Sequence, residues 1–122
     1  MTITVNQAAG AGGVSVPFTD PVLTSGVSPV KAIHINELRS RIDALRSRSG
    51  LPAFSWTNAN LTGGVTIIKA THIAEMRQAL SAVYQASSLT APTYTDPTLI
   101  AGVTTIKAAH LQELRNAVVA VE

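Results

Sequence analysis

Apolar residues fall in the same rhythm at three places along the chain: Ile35, Leu38, Ile42, Leu45; then Ile73, Met76, Leu80, Val83; then Leu111, Leu114, Val118, Val121. Steps of three, four and three residues put each set on one stripe of an α-helix. The pattern predicts three long helices, the first ending near Ser49-Gly50 and the second near Ser87-Ser88. The stretches 51–57 and 89–95, with Pro52 and Pro92, read as short extended connectors that carry the chain back.

The polar positions repeat as well. "VSPVKAIHINELR", "VTIIKATHIAEMR" and "VTTIKAAHLQELR" follow one another at a spacing of 38 residues with no insertion. Phe18, Trp56 and Tyr94 align, as do Asp20, Asn58 and Asp96, and Gly26, Gly64 and Gly102. Each unit opens with an aromatic residue and Thr before a "DPxL" pattern. Asp suits a helix N-cap and Pro the first helical position, so a short helix is expected there, closed by the Gly. Ser28, Thr66 and Thr104 read as the caps of the long helices, with Pro29 at the first helical position. The fold class is therefore all-α: three tandem 38-residue repeats of short helix, Gly turn and long helix, spanning 14–50, 51–88 and 89–122. Residues 1–13 read as a linker, and the chain as a fragment of something longer.

The units stand as "TDPVLTSGVSPVKAIHINELRSRI", "TNANLTGGVTIIKATHIAEMRQAL" and "TDPTLIAGVTTIKAAHLQELRNAV". They resemble a tandem repeat of secreted multidomain proteins of acidobacteria and other soil bacteria, with the pattern "TDPTLxxGVTxIKAxHxxELR". The resemblance covers roughly residues 16–122 and departs at Asn58-Ala59, where Asp-Pro is expected. It implies an appended extracellular or cell-surface module and carries no activity with it.

Composition narrows the picture. Hydrophobic residues make up 46% of the chain and charged residues 13%, with no cysteine, so disulfides and thiolate metal sites are excluded. No apolar run is long enough to span a membrane. The net charge of +2 is too small to point to nucleic acid. The basic run Arg39, Arg41, Arg46 and Arg48 is confined to the first unit and reads as a solvated helix face. Phe18, Trp56 and Tyr94 could offer a sugar platform, but aromatics at matching positions are expected to fill gaps between units.

The recurring Lys, His, Glu and Arg pose the functional question. Lys31 falls on the apolar stripe in the first turn, His34 at its edge and half-buried, Glu37 further toward solvent, and Arg39 on the opposite flank. Parallel helices can stack in an open row or close around a pseudo-threefold axis. In a closed trio His34, His72 and His110 would converge as a three-imidazole zinc site with a position left for water, whose pKa falls to about 7. Glu37, Glu75 and Glu113 would orient the rings or act as base. Lys31, Lys69 and Lys107, near the helix N-termini, would bind an anion. That reading is a small zinc-dependent hydrolase of phosphate or other anionic esters. In the other reading each His bonds a loop group, Glu and Arg tie neighbouring units together, and the chain is a module with a binding or structural role, its partner a surface ligand.

Overall fold

The computed structural model describes residues 17–24, 30–62, 68–100 and 106–122. Three helices carry it: α1 (Ala32–Arg48), α2 (Ala70–Ala86) and α3 (Ala108–Val119). Among the described residues there is no strand, and no helix is long and apolar enough to cross a membrane. Every helix packs against the other two, so α3 returns to α1 and the open row is not formed.

The predicted stripes form the core. Ile35, Leu38 and Ile42 of α1, Ile73, Met76 and Leu80 of α2, and Leu111, Leu114 and Val118 of α3 all have 0% exposure. Burial of each such side chain stabilises the fold by about 1.5–3 kcal/mol. Val121 lies past the end of α3 and packs against this core from the side.

Helices α1 and α2 close the same way. The Leu51 N–H reaches back to the Arg46 carbonyl and that of Gly50 to Ser47; in α2 the Leu89 N–H bonds Tyr84 and that of Ser88 bonds Gln85. These paired bonds need the residue after the cap in the left-handed region. Gly50 sits there at φ 79° and Ser88 at φ 58°.

The helix starts differ from expectation. The long helices begin at Ala32, Ala70 and Ala108, after an extended Lys31, Lys69 or Lys107. The expected caps Ser28, Thr66 and Thr104, with Pro29 and the turn glycines, lie outside the described residues. Among the described residues no short helix forms at the "DPxL" pattern either: residues 19–21, 57–60 and 95–98 are turns and bends, and those that follow are irregular. Asp20, Asn58 and Asp96 each take φ 52°, in the left-handed region, which a helix N-cap does not occupy. Asp and Asn are the side-chain types that tolerate that region best.

Candidate functional site

The repeated polar residues gather at the helix starts. In each unit the His ring, at the third helical position, accepts a hydrogen bond at Nδ1 from the backbone N–H of the capping Lys. The distances are 3.0 Å at His34, 2.9 Å at His72 and 3.1 Å at His110. A Lys side chain has no acceptor with which to cap its own helix, so the imidazole does the work from inside the first turn. With Nδ1 accepting, the proton of the neutral ring is on Nε2. That atom faces Asp20 Oδ2 at 2.8 Å, Asn58 Oδ1 at 2.9 Å and Asp96 Oδ2 at 2.8 Å. The neutral tautomer is thereby fixed and both nitrogens are engaged.

The Thr before each Asp or Asn is held from two sides. The N–H groups of Thr19, Thr57 and Thr95 each donate to Glu37, Glu75 and Glu113 at 3.0 Å, and their hydroxyls bond the same carboxylates. The carbonyls of the turn receive an Arg from the preceding unit. Arg39 donates to the Thr57 and Asn58 carbonyls at 2.6 and 2.9 Å, and Arg77 to those of Thr95 and Asp96 at 2.7 and 2.8 Å. Arg115 donates to those of Thr19 and Asp20 at 2.6 and 2.7 Å, carrying the same joint from the third unit back to the first. The left-handed Asp or Asn is thus over-determined by His, Glu and Arg together, which is how a strained residue persists.

Each of these arginines also lies over the aromatic of the unit it grips: Arg39 over Trp56, Arg77 over Tyr94 and Arg115 over Phe18, at 5.2, 4.6 and 4.7 Å. The aromatics fill the gaps between units, as the sequence suggested. Arg39, Arg77 and Arg115 are only 4%, 8% and 2% exposed. Burial pulls their guanidinium pKa values down, opposed by Glu75, Glu113 and Glu37 respectively. Burial pushes the Tyr94 hydroxyl up to about 12, and among the described residues that hydroxyl has no hydrogen-bond partner.

The expected solvated basic face of α1 is solvated only in part, at Arg48. Arg39 and Arg46 are buried, Arg46 donating to the Ala79 and Pro52 carbonyls. Arg41 pairs with Glu122, and Arg48 bonds the Val121 carbonyl. These last two bonds close the ring. Tyr84, 38 residues after Arg46, donates to the carbonyl of Ala117, which likewise corresponds to Ala79. The counterpart pair at the closing joint is Glu122 and Arg41, so an ion pair stands where the other joints have a bond to a carbonyl.

The predicted site residues are therefore placed in three separate clusters. His34, His72 and His110 are fully buried rather than half-buried, and each bonds within its own unit. Among the described residues no group of three His, Asp or Glu side chains is arranged to hold a metal ion. The carboxylates of Glu37, Glu75 and Glu113 face Thr groups, not imidazoles. Lys31 and Lys107 bond Asp20 and Asp96 at 3.3 and 3.2 Å, so an anion would compete with a carboxylate there. Lys69 is exposed, and Asn58 offers it no charge. The partners that sequence reasoning missed are the Asp or Asn and the Thr of each turn. Their signal was constant spacing: 14 residues from Asp or Asn to His and 18 from Thr to Glu in every unit. Compared with known protein families, curated proteins and solved structures, the chain matches none.

Proposed function

We propose that the chain is a helical repeat module with a binding or structural role, carried on a secreted or surface protein. The observation that supports this is the engagement of the recurring polar side chains inside the fold. His caps a helix, Glu holds the turn of its own unit, and Arg holds the turn of the next. Residues that recur in register then do so because every joint needs the same fasteners. The extracellular setting rests on the resemblance of the repeat. The zinc hydrolase reading finds no support in this geometry: it needs three imidazoles with free nitrogens facing one point, and here both nitrogens of each ring are engaged.

Thermal unfolding with and without added zinc tests the proposal, on the parent chain and on a His34→Ala, His72→Ala, His110→Ala variant. Single His→Ala variants should each lower the unfolding temperature, and zinc should leave the parent unchanged. A parent stabilised by equimolar zinc, with the effect lost in the triple variant, or phosphate-ester hydrolysis lost on chelation, would overturn it.

A further inference from the structure

The three joints share the grip of an Arg on two turn carbonyls, but only two are also joined by the chain. The joint between the third and first units rests on Arg115 with the Thr19 and Asp20 carbonyls, Arg41 with Glu122, Arg48 with the Val121 carbonyl, and Phe18 between Arg41 and Arg115. Nothing covalent decides whether the two surfaces belong to one chain. We propose that the third unit exchanges between two copies of this chain, so that each ring is built from two units of one copy and the third of the other, giving a dimer.

The connectors show where the exchange would hinge. The connector after α1 is tied down: Asp43 accepts the Phe54 N–H and the Trp56 indole N–H, and Arg46 holds the Pro52 carbonyl. The connector after α2 lacks these ties. Ser81 stands where Asp43 does, and Pro92, with no N–H to donate, stands where Phe54 does. Among the described residues no side chain of α2 hydrogen-bonds to residues 89–94. This connector also begins at Ser88, a non-glycine residue at φ 58°. Extension of the hinge lets Ser88 leave that region, so opening relieves strain that the closed monomer carries. Eight extended residues reach about 26 Å, enough for the third unit to clear its own ring. A short hinge under strain is the known setting for exchange of an element between protomers. The closed monomer competes through an effective concentration in the millimolar range, so the dimer is favoured as chain concentration approaches it.

Charge reversal across the closing joint tests the proposal. Glu122→Arg opposes two cations in its own ring, and Arg41→Glu opposes two anions. Exchange between the two variants matches both joints, Arg with Glu in each. Unfolded together and refolded, they should give a mixed species of twice the monomer mass that melts above either variant alone. The parent chain in two mass-labelled forms, co-refolded at ~1 mM, should give the mixed dimer as well, which decides the matter even where the charge variants do not fold. Ser88→Gly, by relieving the closed hinge, should reduce the dimer about fivefold per hinge. Monomers alone in the parent mixture at every concentration would overturn the proposal. So would a dimer that forms on simple mixing without unfolding, or one equally abundant in Ser88→Gly.

Discussion

The first and second units are built on the same fasteners, and three of the positions at which they differ make each a control for the other. At the helix start Asp20 becomes Asn58: the ring of His34 faces a carboxylate and that of His72 a neutral amide. On the helix flank Asp43 becomes Ser81, and at the helix end Gly50 becomes Ser88. The cap and the helix end survive the first and third changes, while the second removes the ties to the following connector. Asn keeps the side-chain oxygen that the imidazole N–H needs, and Ser88 takes the left-handed conformation at a cost. The caps therefore depend on an acceptor in the right place rather than on charge. What charge changes is the response to pH.

The largest effect is expected at the rings. His34→Ala and His72→Ala each remove a fully buried side chain and leave the backbone N–H of Lys31 or Lys69 without its acceptor. Each should cost about 2–4 kcal/mol, measured by denaturant unfolding near pH 7.5. A cost below 1 kcal/mol at either site would mean that its ring is not the cap.

Next is the tie that the first unit has and the second lacks. Asp43→Ala strands the Phe54 N–H and the Trp56 indole N–H and should cost about 1–3 kcal/mol. Ser81→Ala should be close to neutral, since no hydrogen bond of Ser81 holds the following connector. Equal costs at the two sites would remove the asymmetry on which the hinge assignment rests.

Acid should separate the units. Burial holds the His72 pKa below its ordinary 6.5, with Arg39 and Lys69 adding to the effect and Glu75 opposing it. Protonation would also place a hydrogen on Nδ1, where the ring must accept from Lys69. The unfolded chain therefore binds a proton near pH 6.5 that the folded chain does not. Stability falls as pH drops below about 6.5, by at most about 1.4 kcal/mol per pH unit, until the lowered folded value is reached. The carboxyls of Asp20 and Asp96 are held below their ordinary 3.8 by His34 and His110, and next by Lys31 and Lys107. Their contribution is present above about 3.8 and is lost only as pH falls through those lower values. Asn58→Asp places a carboxylate beside His72 and should raise its titration point, read from the imidazole resonances, and flatten the loss of stability between pH 6.5 and 5. An unchanged titration would show that burial alone sets it.

Much of this was legible in the sequence. The 3-4-3 stripes found the core of each helix, and alignment of Phe18, Trp56 and Tyr94 found the fillers between units. The helix starts were not legible, because Ser, Thr and Asp are the usual cap signals, whereas here a His in the first turn caps from inside the helix. The short helix was misread from "DP", since Asp20 and Asp96 are turned left-handed to meet an imidazole 14 residues on. The arginines were misplaced because periodicity assigns them to a polar face. A guanidinium can be buried where it meets two backbone carbonyls and an aromatic ring, and those partners come from another unit. Such contacts between units are invisible to a pattern read within one helix.

The smallest effect is a reciprocal pair at the helix ends. Gly50 and Ser88 occupy the same place in the same closing bonds, at φ 79° and 58°. A side chain at Gly50 would meet nothing within 4 Å, so a substitution there tests backbone conformation without a packing term. Gly50→Ser should cost about 0.5–1 kcal/mol, the left-handed penalty less the entropy that glycine loses on folding. Ser88→Gly should return about the same amount, and additive effects would leave the double variant near the stability of the parent. The measurement is the denaturant midpoint of the two single variants and the double. A gain at Ser88 without a matching loss at Gly50 would mean that the Ser88 side chain, and not its backbone, weakens the second helix end.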